Sequence, residues 1–118
     1  MGSQMRRIQT AFLTNPQVKL VSFTVDPAND TPAVLADYAK RMKATPGLWY
    51  FLTGTADQLQ HLMRTVFLLG DMNESLNHST RLVLVDRQSR IRGYYDTGEE
   101  SGIPKLIADI RYLLKEPT

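Results

Sequence analysis

Apolar positions recur along this chain in two rhythms, and their alternation predicts the order of its elements. Met5, Ile8, Phe12 and Leu13 fall on one face of a 3.6-residue period, which predicts an amphipathic first helix ended by Asn15-Pro16. The β-branched, apolar run 18–25 needs no internal turn residue, so it predicts a strand buried on both faces and stopped by Asp26-Pro27. A second helix follows at once. Thr31, or Asp30 before it, suits the N-cap, Pro32 suits the first helical position, and Leu35, Tyr38, Ala39 and Met42 form its apolar stripe. Lys40, Arg41 and Lys43 near its end complement the helix dipole. After the turn Thr45-Pro46-Gly47, residues 48–52 predict an aromatic-rich strand. Thr55 or Thr53 then caps a third helix facing inward through Leu59, Leu62, Met63, Val66 and Phe67 and ended by Gly70.

From 71 to 80 the chain is polar and without period, which predicts a loop carrying His78. Residues 82–85 predict a further buried strand. Asp86-Arg87-Gln88-Ser89 makes a tight connection into the alternating stretch 91–95, giving an antiparallel hairpin. Ser101 caps a last helix whose inward face is Ile103, Leu106, Ile107, Ile110, Leu113 and Leu114. The order is α-β-α-β-α-β-β-α. A strand, a short acidic loop and a capped helix make half of an α/β unit, and the loops at the carboxyl ends of such strands are where these sheets place their sites.

Length confines this pattern to a single domain over 1–118 with one core, in which the opening Met-Gly-Ser reads as an added or internal start. The fourteen Lys and Arg are dispersed among twelve Asp and Glu for a formal charge of +2, so no basic face for nucleic acid is expected. No run approaches the ~18 apolar residues of a membrane span, and no membrane segment is expected in these residues. The absence of cysteine changes the picture most. It removes disulfides, thiolate nucleophiles and thiolate metal ligands together.

What remains for chemistry is sparse. His78 is the one residue placed for a metal: neutral imidazole is a good copper ligand and a loop before a strand suits a site, but one imidazole without thiolates holds a metal weakly and unselectively. His61 lies off the core face of its helix and reads as a solvated surface residue. Asp26 and Asp30 have the spacing to hold a hard cation or work as an acid/base pair, but an Asp-Pro turn and a helix cap account for both. Met42 and Met63 sit on core faces and read as packing, which leaves Met72, near His78, as the only thioether with ligand prospects. Lys19 marks the point where its strand emerges. No Gly-rich phosphate loop, no His-Glu-x-x-His and no nucleophile elbow is present, and Ser22, Ser79 and Ser101 lack a base at diagnostic spacing. No enzymatic activity is expected.

Three stretches resemble the SCO/SenC family of thioredoxin-like copper chaperones: 21–32, Val-Ser-Phe-Thr-Val-Asp-Pro-Ala-Asn-Asp-Thr-Pro, with Leu35 and Tyr38 after it; 49–54, Trp-Tyr-Phe-Leu-Thr-Gly; and His78-Ser79-Thr80 leading through 82–86 into 90–95. The resemblance runs from Met5 to about Leu114. It implies a thioredoxin-like α/β fold and copper delivery or thiol redox in assembly of the copper centre of cytochrome c oxidase, outside the cytoplasm or at a membrane, with the copper-bearing oxidase subunit as partner. It also implies copper as the metal, with His78 matching the family's copper-binding histidine; Asn77 and Ser89 stand where an acid and a glycine are common. The family's Cys-x-x-x-Cys motif has no counterpart here, and the first helix resembles the one that follows that motif. A domain lacking the family's first central strand and most of its metal site is therefore expected. The gap between strand 18–25 and strand 82–85 must then close by direct pairing or be filled by a second copy, and a homodimer is the expected result. The alternative is a non-catalytic interaction or oligomerisation module.

Overall fold

The computed structural model describes residues 2–24, 26–67 and 81–116. Along them run α1 (Gly2–Ala11), β1 (Leu20–Phe23), α2 (Pro32–Arg41), β2 (Trp49–Leu52), α3 (Ala56–His61), a π-helical turn (Leu62–Val66), β3 (Arg81–Val85), β4 (Ile91–Asp96) and α4 (Gly102–Leu114). The predicted order holds, and α1 already includes Gly2 and Ser3.

Local chemistry explains most boundaries. Thr31 caps α2 by accepting from the Val34 amide, with Pro32 at the first helical position. Thr55, not Thr53, caps α3 in a reciprocal capping box with Gln58. Ser101 precedes α4 in a helical conformation and its side chain makes no capping bond, contrary to the sequence expectation. A different device holds that end: a Cβ on Gly102 would lie 2.2 Å from the Asp96 carbonyl oxygen, so only glycine lets α4 start so close to the end of β4. The predicted third helix is also corrected. It does not continue as one α-helix, because Phe67 N–H reaches back five residues to Leu62 C=O, and Val66 is turned to solvent instead of inward. Gly70, the predicted end, lies outside the described residues.

β1 and β2 pair in parallel, Leu20 opposite Trp49 through Phe23 opposite Leu52. β3 and β4 form the expected antiparallel hairpin, with an irregularity at Leu84 and Val85. Ser89 takes a φ of 63° in its turn, the left-handed backbone that glycine adopts at least cost. The core joins Met5 and Ile8 of α1, and Phe12 just after it, to Leu20, Trp49 and Tyr95 of the strands and to Ile103, Leu106 and Ile110 of α4. Leu13 is not part of it. Trp49 is buried with its indole N–H donating to Ser22 Oγ (3.0 Å), and Tyr95 is buried with its hydroxyl donating to Asp109 (2.6 Å). Buried Gln9 fastens α1 to the α2–β2 connection: its amide N–H donates to Lys43 C=O (3.1 Å) and its amide oxygen accepts from Thr45 N–H (2.7 Å).

The two half-sheets do not meet. Among the described residues β1 bonds only to β2 and β3 only to β4, so direct pairing of β1 with β3 does not occur. The expectation that strand 18–25 is buried on both faces is overturned: Val21 is 43% and Phe23 36% exposed, whereas Leu20 and Thr24, which point to the other face, are buried.

Candidate functional site

The gap between the half-sheets is a slot of about 700 Å³ that runs the length of both strands. Its long edges are 17–24 and 81–88, and its walls are apolar side chains of α1, α4, α3 and the π-helical turn, among them Met5, Ile8, Leu106, Ile110, Leu59 and Met63. Backbone geometry gives the slot its character. Leu20 N–H donates to Leu48 C=O (2.7 Å) and Thr24 N–H to Leu52 C=O (3.1 Å), so the even-numbered residues turn their peptide groups toward β2. By alternation the peptide groups of Val21 and Phe23 turn toward the slot. Across it, half of the peptide groups of β3 face the same space, since only alternate residues of a strand bond to one neighbour.

One end of the slot is polar and braced. Arg87, just past β3, donates to the side-chain oxygen of Gln17, just before β1 (2.7 Å), and to the backbone oxygen of Glu116 (3.1 Å). That bond places the start of β1 beside the end of β3, so the two strands run antiparallel across the slot. Behind it lies an ionic cluster. The Asp86 side chain, only 4% exposed, accepts from the amides of Gln88 and Arg90 (2.9 and 3.0 Å) and from the guanidinium groups of Arg90 and Arg92 (3.0 and 3.1 Å). Led by the bond from the Arg90 amide, and against the opposing effect of burial, these donors hold the Asp86 carboxyl down to about 2. Arg92 forks onto both oxygens of Glu116 (2.9 Å each), which lowers that carboxyl too. This cluster was not anticipated from sequence. Asp86 and Arg90, four residues apart across a tight turn, were its only visible sign.

The residues singled out in the sequence fare differently. His78 and Met72, the metal candidate and its neighbour, lie outside the described residues, as do Asn77 and Ser79. His61 is exposed, as expected. Asp30 accepts from the Thr24 hydroxyl (2.5 Å), and Asp26 takes a bond from the Asn29 amide (2.8 Å) while its own N–H donates to Thr24 Oγ1 (2.9 Å). The acidic loop is thus stitched to itself and to the end of β1, in keeping with the structural role assigned to it. Met42 packs half-buried against the core, Met63 lines the slot, and Lys19 is exposed with its ammonium donating to Gly47 C=O (2.7 Å). Among the described residues no group of three or more His, Cys, Asp or Glu is placed to hold a metal ion, so these residues do not fit copper by themselves.

The SCO1/SenC family model matches residues 1–115. The chain belongs to the SCO1/SenC family. A Stutzerimonas stutzeri protein named for expected copper binding is 36% identical over 100 residues, a match covering 78% of this chain and 48% of that protein. The chain therefore spans about half the length of the curated relative it matches. The crystal structure of a SCO1/SenC family lipoprotein from Bacillus anthracis superposes with a TM-score of 0.76 over 97% of this chain and 71% of that one, at 19% identity. The fold is accordingly the thioredoxin-like α/β fold of that family. Among the described residues no helix is long and apolar enough to cross a membrane.

Proposed function

We propose that this chain is a domain of the SCO1/SenC type, whose family role is copper delivery or thiol redox in assembly of the copper centre of cytochrome c oxidase, outside the cytoplasm and in association with a membrane, and that its own metal site is largely lost. The observation that carries the reading is the family match across 1–115, supported by the relative named for copper binding and, for location, by the lipoprotein of like fold. Within these 118 residues the metal site is reduced to His78, because no cysteine is present to supply a thiolate. A lone neutral imidazole gives weak copper binding that competes with protons and strengthens as pH rises through about 6.5. No thiol peroxidase or reductase chemistry is expected from this chain.

Titration with Cu(I) and Cu(II), of the chain and of His78→Ala and His61→Ala variants, tests the reading. The expected result is weak binding of one equivalent that is lost in His78→Ala and kept in His61→Ala. No binding, or tight binding indifferent to His78, overturns it. The open slot supports a second reading, a non-catalytic interaction module that assembles as a homodimer or with another chain.

A further inference from the structure

Charges that alternate along the sequence are sorted by the fold. Gln9, near the end of α1, bonds to Lys43 C=O and Thr45 N–H, Lys19 Nζ donates to Gly47 C=O, and Arg87 joins Gln17 to the backbone oxygen of Glu116. The α1–β1, α2–β2 and β3–β4 connections and the C-terminus of α4 therefore share one end of the domain. Lys19, Lys40, Arg41 and Lys43 stand there, exposed, at the start of β1 and the end of α2. Arg87, Arg111 and Lys115 join them, exposed, from the β3–β4 turn and the end of α4. Among the described residues none of these is in an ion pair, whereas the two acids of this end, Asp86 and Glu116, are engaged by Arg90 and Arg92. The absence of a basic face expected from sequence does not hold at this end.

The opposite end is acidic. Asp26, Asp30 and Asp57 lie past the carboxyl ends of β1 and β2, and Asp96, Glu99 and Glu100 lie at the same end, because β4 ends where β3 begins. The thirteen residues of α4, about 20 Å of helix, separate the two ends, against a screening length of about 10 Å at 0.1 M salt. An anionic surface laid on the basic end thus feels its cations and little of the acids, although the whole chain carries only +2. The cations come from separate turns and helix ends, which suits a surface of many charges better than one small anion. Apolar groups stand among them. The Arg111 guanidinium lies over the Phe12 ring (5.8 Å), which brings Tyr112, 64% exposed, to the same side as Leu13, 50% exposed. An anionic bilayer takes both kinds of group, cations at its phosphates and Leu or Tyr side chains at the acyl boundary, whereas a nucleic acid or an acidic peptide leaves Leu13 in water.

We propose that the basic end docks on an anionic lipid bilayer and holds the domain with the carboxyl ends of β1 and β2 turned away from it. The inference goes beyond the copper reading and does not rest on it, so vesicle binding and copper titration succeed or fail separately. The test is flotation of the 118-residue chain with vesicles of phosphatidylcholine containing about 30% phosphatidylglycerol, at about 0.05 M salt. The chain is expected to float with these vesicles, to leave pure phosphatidylcholine vesicles unbound, and to be released by about 0.5 M salt. A Lys40→Gln, Lys43→Gln, Lys115→Gln triple variant is expected to bind more than about tenfold more weakly, since each cation near an anionic bilayer contributes about fivefold. Lys105→Gln, in the first turn of α4 at the acidic end, is expected to bind as the parent does, and Leu13→Ser more weakly. All these side chains are exposed, and circular dichroism checks that each variant is folded. No binding to anionic vesicles, equal binding to neutral ones, a smaller loss in the triple variant, an equal loss in Lys105→Gln, or no loss in Leu13→Ser overturns the proposal. So does displacement from the vesicles by duplex DNA or polyglutamate at equal charge, which would make the partner an acidic polymer.

Discussion

Replacing Gly102 by alanine separates tertiary structure from local propensity, because the two predict opposite signs. Gly102 opens α4, and at a helical position alanine is favoured over glycine by up to about 1 kcal/mol on propensity alone. The new methyl, however, would stand 2.2 Å from the Asp96 carbonyl oxygen and 3.2 Å from its carbon. Cβ atoms essentially never approach within 3.0 Å of another atom, so the overlap is about 0.8 Å, and the obstacle is backbone at the end of β4 rather than a side chain free to rotate. Either α4 or β4 must shift, and Ile103, the next residue and 2% exposed, ties that shift to the core. Overpacking of this kind costs about 1–3 kcal/mol. Because the clash is with backbone, the cost lies at the upper end of that range, and after the propensity gain the net loss is about 2 kcal/mol, or roughly 8 °C in Tm for a domain of this size. Urea unfolding followed by far-UV circular dichroism reads it as a lower midpoint at unchanged slope. A Gly102→Ala variant as stable as the parent, or more so, would refute the packing of α4 against β4.

The ionic cluster makes stability fall in acid. Asp86 titrates near 2 in the folded protein against an ordinary 3.8, so its contribution is complete above about 4 and is lost as pH drops toward 2. Thermal melts between pH 5 and 2 are expected to show a falling Tm whose slope is reduced in Asp86→Asn, and an unchanged slope would remove Asp86 from the cause. Gln9→Leu leaves the Thr45 amide and the Lys43 carbonyl without their partner, and is expected to cost about 1–3 kcal/mol by denaturant unfolding; a loss below about 0.5 kcal/mol would mean that solvent reaches both groups.

The order of elements was legible because each carried its own local signal: the Thr31-Pro32 cap, the Thr55 to Gln58 box, the apolar stripes of α1 and α4, and the turn at Ser89. Three features were not, one a local change of bonding step and two set by the packing of separate elements. The π-helical turn at Leu62–Val66 changes the bonding step and turns Val66 outward, to which the sequence pattern is blind. The close approach at Gly102 depends on a carbonyl six residues earlier, in another element. The exposure of Val21 and Phe23 depends on how other elements pack over that face of β1, and an apolar run reads the same whether or not its face is covered. For the candidate site, the acidic loop shows the local bonds expected of a turn and a helix start, whereas the Asp86–Arg92–Glu116 cluster joins a turn, a strand and the second residue after a helix across thirty-one positions. His78 remains a reading of sequence and family.

The most direct measurement is residue-resolved amide hydrogen exchange of the free chain by NMR, comparing neighbours within β1. Two half-sheets flanking an open slot predict slow exchange at Leu20 and Ser22, whose amides bond to β2, and fast exchange at Val21 and Phe23, whose amides face the slot. Equal protection along all four residues would show that the edge of β1 is paired, and would contradict the open sheet on which this reading of the protein rests.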